Sequence, residues 1–180
     1  SPYTPKRLVG PDVNYGRELL VALARRTGGW IGWEATNLRR IAGELAFVPL
    51  HRAGARVGGD VEIRVLVNRA LDRAMDSGFV SREFMQLGRS LGFRKVLRDS
   101  VLELRTAGVS PDELRESTEP GSPARELVSV LREYDELLAA CAVADSAGVF
   151  RAALDNFDEQ ARFCLTGQLF LSPMLIERGL

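Results

Sequence analysis

The run from Arg7 to Ala46, RLVGPDVNYGRELLVALARRTGGWIGWEATNLRRIAGELA, switches from extended to helical character and back, and about a hundred residues of charged helical sequence follow it. This opening limits the fold more than any other part of the chain. Two short strands joined by a helix can lie side by side only through a crossover, which makes the pair parallel and the crossover right-handed. Arg7 to Gly10 reads as the first strand, ended by a Gly-Pro-Asp turn, and Asn14 or Tyr15 opens a helix whose apolar stripe is Leu19, Leu20, Leu23 and Ala24. Thr27-Gly28-Gly29 stops it. Trp30 to Ala35 reads as the second strand, and Thr36 stands where it would cap a helix burying Leu38, Ile41, Ala42, Leu45 and Ala46. In such a unit the functional edge lies at the carboxyl ends of the strands.

Pro49 to Asp60 reads as a loop, with Gly54, Gly58 and Gly59, and His51 falls within it. Helices follow. Asp60 to Ser77 carries Ile63, Leu66, Val67, Ala70, Leu71 and Ala74 at helical spacing, ended by Gly78. Ser81 opens a short helix with Glu83 and Phe84, and Phe93 opens another that buries Val96, Leu97, Val101 and Leu104. Ser110-Pro111-Asp112-Glu113 is a helix start with a cap, a proline at the first position and acids in the first turn. Ala124 to Cys141 has one apolar face of Leu127, Leu131, Tyr134, Leu138 and Cys141, and Asp145 caps a helix through Leu154. Thr166 to Leu171 has strand character, and Ser172-Pro173 starts a helix pattern that the sequence leaves unfinished, as a fragment of a longer protein would. The expected fold is α/β but predominantly helical. It has a small parallel sheet from residues near 7–10, 31–35 and 167–171, built by segments 1–59 and 156–180, and a helical subdomain over 60–155 is inserted.

Composition excludes several function classes. No apolar run approaches the roughly 18 residues of a membrane span and the N-terminus has no signal-peptide pattern, so a cytoplasmic protein is expected. Cys141 and Cys164 form neither a disulfide framework nor a metal site and read as buried thiols. A single histidine, His51, removes histidine triads and multi-histidine metal sites, so no cofactor or metal is expected. The formal net charge is zero, against a strongly basic nucleic-acid binder taken whole, but residues 1–59 carry nine Lys or Arg against four acids. Only Lys6 and Lys95 among the 24 basic residues are lysine, a bias that base composition or bidentate phosphate contact can each produce.

Gly10 and Gly16 invite comparison with a phosphate-binding loop, but Arg17-Glu18 stands where that loop has its lysine and hydroxyl, so an ordinary helix-start turn is preferred. Asp135-Glu136 and Asp158-Glu159 are adjacent pairs that point to different helical faces, which suits solvated surface rather than paired catalytic carboxylates. Trp30 and Trp33 point to opposite sides of a strand, so at most one can stack on a base while the other packs in the core. Thr36-Asn37-Leu38-Arg39-Arg40 combines a helix start at a strand end with two arginines. It reads equally as a phosphate contact and as a solvated face. Arg94, Lys95, Arg98 and Arg105 form a second basic region, diluted by Asp99 and Glu103.

These segments together resemble the N-terminal helicase-like region of AddB-type and RecB-type helicase-nucleases, relatives of superfamily 1 helicases. Gly16-Arg17-Glu18-Leu19-Leu20 with Leu23-Ala24-Arg25-Arg26 resembles motif Ia, Thr36 leading to Ala42 and Leu45 resembles motif Ib, and REYDELLAACAVADSAGVFRAAL from Arg132 to Leu154 resembles the end of the family's helical insertion. A working motor would follow the strand near Leu169 to Leu171 with an Asp-Glu pair, whereas Ser172-Pro173 stands here. The departure is similar to AddB-like and RecC-like subunits that keep a degenerate P-loop-type fold as a DNA scaffold without hydrolysing ATP. The resemblance implies DNA-backbone contact, with Arg17, Thr36, Asn37, Arg39 and Arg40 as the contacting residues. It implies no catalytic residue in this fragment, a partner subunit or further C-terminal domains, and a nuclease motif beyond Leu180 in an exonuclease or helicase parent. The alternative is a helical protein-interaction module that docks a partner subunit.

Overall fold

Eight helices and two pairs of short parallel strands make up residues 6–29, 32–78 and 80–156, the residues that the computed structural model describes. They divide into two compact units, residues 6–49 with 150–156 and residues 50–149.

In the first unit β1 (Lys6–Val9) pairs in parallel with β2 (Trp33–Thr36), Lys6 opposite Trp33 and Val9 opposite Thr36. The second strand therefore runs one residue past the expected Ala35 end. Trp30 and Ile31, and the expected third strand at 167–171 with the helix start after it, lie outside the described residues. The crossover helix α1 (Val13–Thr27) starts earlier than Asn14, because the Asp12 side chain accepts the Tyr15 amide at 2.8 Å. It ends at Gly28, whose φ of +78° is left-handed. A Cβ added to Gly16 would stand 3.0 Å from the Ala35 Cβ, so the helix backbone lies close against β2. That contact decides which face is seated. Gly16 and Leu20 are buried with Ala24 partly so, while Leu19 and Leu23 are exposed, which corrects the expected stripe by turning it one residue round the helix. The next helix, α2 (Leu38–Arg52), buries Ala42 and Ala46 and half-buries Ile41 and Leu45, as expected. It continues through Pro49 to include His51, so the loop expected from Pro49 is shorter, the helix accepting one missing N–H near its end.

The second unit begins with β3 (Arg56–Val57), which pairs in parallel with β4 (Val143–Ala144). The pair requires Gly58, since a Cβ there would meet Val143 Cγ1 at 2.7 Å and Ile63 Cδ1 at 2.8 Å. Helix α3 (Asp60–Asp76) lies along α7 (Pro123–Ala140), α5 (Leu91–Thr106) packs against both, and α6 (Pro111–Ser117) packs on α7. Leu66, Val67, Ala70, Leu71 and Ala74 of α3 meet Leu97 and Val101 of α5 and Val130, Leu131, Tyr134, Leu137 and Leu138 of α7 in one core. Phe84 of α4 (Arg82–Leu87) joins it, edge-on to Phe93 with ring centroids 5.5 Å apart. Three helix starts follow the expected chemistry, while α5 begins two residues before the expected Phe93 and α7 one before the expected Ala124. Ser81 accepts the Phe84 amide, Ser110 and Glu113 form a reciprocal capping box, and Asp145 accepts the Gly148 amide at the start of α8 (Ser146–Asp155). Two burial expectations are corrected. Val96 is exposed on the outer side of α5, and Cys141 is exposed because it ends α7, where the chain turns through Ala142 at φ +51° into β4. Cys164 lies outside the described residues.

Leu131 is fully buried between these helices, whereas Val65 faces solvent from α3. Leu131→Ala is expected to cost about 2–5 kcal/mol and Val65→Ala under about 0.5 kcal/mol, read from urea midpoints at unchanged m-value.

Candidate functional site

The sequence places its candidate residues at the carboxyl edge of the β1–β2 pair, where α1 and α2 both begin. Thr36 does not cap α2, which corrects that expectation. It is the last residue of β2, 1% exposed, and its hydroxyl has no hydrogen-bond partner among the described residues. Its carbonyl accepts the Gly10 amide at 3.0 Å, so its role is in the sheet. Asn37 is the cap instead, with Oδ1 accepting the Arg40 amide at 2.8 Å. Arg40 is engaged by two acids, Glu34 at 3.2 Å and Glu44 at 3.4 Å, and Arg7 reaches the same pair at 3.9 and 2.6 Å. These four side chains alternate in sign, Arg7 and Glu34 opposite each other in the amino halves of the strands and Arg40 and Glu44 on α2. Their exposure makes the pairs worth little to stability, but together they cancel the charge Arg40 would offer a phosphate. Arg17 and Arg39 are exposed, one in the second turn of α1 and the other in the first turn of α2.

The Gly10 to Gly16 turn binds its own side chain. Asp12 sets its carboxylate on the Tyr15 amide in the first turn of α1, the place where a phosphate-binding loop would hold the anion.

The second basic region read from sequence is dispersed by the fold. Arg94 pairs with Asp72 and donates to the Gly88 carbonyl at 2.6 Å, and Arg98 lies 3.4 Å from Asp99. Arg105 turns inward. Its Nε and Nη2 donate to the buried Asp145 carboxylate at 3.2 and 3.3 Å, and its Nη1 donates to Asp135. Tyr134, fully buried, donates its hydroxyl to Asp145 at 3.3 Å, and the Arg105 guanidinium lies 5.8 Å from the Tyr134 ring centroid. Asp135 is therefore a partly buried ion-pair partner, a correction to its reading as solvated surface.

Sequence reasoning found Asp145 as a cap but missed this cluster. The available signal was the position of Arg105, four residues after Val101 and eight after Leu97, on the buried face of α5. An arginine at such a position needs a buried acid. Burial pulls the Arg105 pKa down, but the hydrogen bonds and charge of Asp145 outweigh it, and the guanidinium is held above its ordinary value. Burial first, and then the charge of Asp145, push the Tyr134 phenol well above its ordinary value.

Among the described residues no group of histidine, cysteine and acidic side chains is arranged to hold a metal ion, and no helix is long and apolar enough to cross a membrane. Comparison with protein-family models, with curated proteins and with solved structures finds no match for the chain.

Asp145→Asn removes the charge that answers the buried guanidinium and is expected to destabilise the helical unit by about 3–5 kcal/mol in urea unfolding. The Tyr134 pKa is raised on folding, so this group leaves stability unchanged below about pH 10. Above that the unfolded chain releases its proton first and stability falls. Tyr134→Phe should show a shallower decline than the natural chain when unfolding midpoints are compared between pH 9 and 11, roughly one unit either side of the free phenol pKa.

Proposed function

We propose that this chain is the helicase-like, non-hydrolysing part of a DNA-repair helicase-nuclease of the AddB and RecB type. On this reading it is a cytoplasmic protein whose first unit has a degenerate P-loop-type core, carries the segment 60–155 as a helical insertion, and steadies a DNA strand by its backbone. The observation that supports it most is the convergence of two helix starts at the carboxyl edge of β1–β2, each followed within two turns by an exposed arginine, Arg17 and Arg39. The occupied α1 start, with Asp12 on the Tyr15 amide, suits a core that does not hold a nucleotide phosphate there. Thr36 and Asn37 then serve as supports for the edge, and Arg40 acts as a tether to Glu34 and Glu44. Nuclease chemistry belongs to other parts of the parent protein.

One observation favours the docking alternative. Tyr15, Leu19 and Leu23 are spaced four apart on α1 and are 49%, 41% and 40% exposed, a stripe that an apolar partner surface would cover. The outer face of α7 offers no such stripe, since Arg132, Glu136 and Ala139 lie there.

Fluorescence anisotropy with a single-stranded oligonucleotide across a salt series separates the two readings. Two arginine contacts predict that Arg17→Ala with Arg39→Ala flattens the slope of log K against log salt by about 1.4, at roughly 0.7 per neutralised phosphate. Arg40→Ala should change it far less. An unaltered slope in the double variant rejects the sheet-edge contact, and a natural chain without salt-dependent affinity leaves the docking reading.

A further inference from the structure

The helical unit has a cavity of about 340 Å³ at the start of α7, walled by Arg115, Arg125, Arg132, Ser122 and Ser129, with Glu126 as the acid among its lining residues. Three guanidiniums around one concavity would repel one another without an anion to share. Two of them already share one. Arg115 and Arg132 both approach Asp112, at 3.2 and 3.6 Å, so side chains from α6 and α7 can converge on a single anionic group. The Asp112 side chain is 70% exposed, and a pairing so open to water is weak and yields to a better-matched anion. Arg125 commits one donor to the Thr118 carbonyl at 3.1 Å and keeps the remainder of its five. Glu126 is occupied with the Ser81 amide, at 2.9 Å.

Ser122 supplies the independent sign of a missing partner. It stands at the cap position of α7 yet caps no amide, like Ser90 at α5 and unlike Ser81 and Ser110 at their helices. Ser122 is half-buried among the lining residues, but its hydroxyl oxygen is shut off from solvent without a hydrogen-bond partner among the described residues, so it reaches the cavity only by turning about χ1. Pro123 follows it and has no N–H, so this hydroxyl is the donor available where the first amide of an 18-residue helix would otherwise point.

We infer that this cavity binds a phosphate dianion, free or carried as a monoester on a small molecule. A tetrahedral group presents enough acceptor oxygens to take forked contacts from three arginines together, with the Ser122 hydroxyl joining once it turns, which the two oxygens of a carboxylate do not. The site lies wholly within residues 81–132 and does not depend on the sheet-edge reading.

The test is an amide NMR titration of the whole chain at constant ionic strength with inorganic phosphate, a nucleoside monophosphate and the matching nucleoside. Both phosphate-bearing ligands should give saturable shifts centred on Gly121, Ser122 and Ala124, and the nucleoside none. Either order of the two affinities supports the site and distinguishes the free from the ester form. Arg115→Ala with Arg132→Ala alters two exposed side chains, so the spectrum should keep its folded dispersion while affinity falls at least about tenfold, equivalent to about 1.4 kcal/mol. Shifts that fail to saturate, that spread evenly over other arginines, or that persist at natural affinity in the double variant would overturn the inference.

Discussion

One buried carboxylate organises the helical unit. Asp145, 2% exposed, accepts from Arg105 of α5 twice, from the hydroxyl of Tyr134 in α7 and from the Gly148 amide of α8. A bare carboxylate at that depth would be prohibitive, and so would a bare guanidinium. Each is tolerable only because the other is fixed opposite it. The arrangement is specific where apolar packing is forgiving. Leucines and valines on α3, α5 and α7 can slide by a fraction of a turn at modest cost, but a four-way set of directional bonds fits one register alone. The same residue starts α8 directly after β4, so the charge pair also fixes where the β3–β4 pair ends.

At the sheet edge the chain answers its own polar groups. Asp12 and Asn37 fill the starts of α1 and α2, and the four-membered set Arg7, Glu34, Arg40 and Glu44 holds two of the segment's nine basic residues against two of its acids. Arg17, Arg25 and Arg26 stay exposed along α1. On the proposed reading, an edge so arranged makes diffuse, salt-sensitive contact rather than tight anion capture.

Much of this architecture was legible in the residues. The parallel pairing of the first two strands follows from their helical connection, and the starts at Ser81, Ser110 and Asp145 follow from side chains that mimic a missing backbone acceptor. Less legible were features set by contacts distant in sequence. The seated face of α1 was decided by the nearness of Gly16 to Ala35, a contact that periodicity cannot register. Cap identity slipped from Thr36 to Asn37 because strand pairing with β1 carried the extended conformation one residue further. Arg105 looked like part of a basic surface because its partners stand 30 and 40 residues away. The predominantly helical character and the starts at Ser81, Ser110 and Asp145 are thus local properties, while the start of α2 and the charge pairing at each candidate site are not.

Residues 58–142 lie between two strands that run side by side in the same direction, joined by the bonds from Arg56 to Ala142 and from Gly58 to Ala144, each 2.9 Å. Chain on either side of this junction leaves from opposite ends of the pair, before β3 and after β4. Tension applied through the flanking chain therefore loads these bonds together, in shear, rather than opening them one after another. Mechanically the short ladder shares that load with the bonds of Asp145, just beyond β4, to Arg105 and Tyr134.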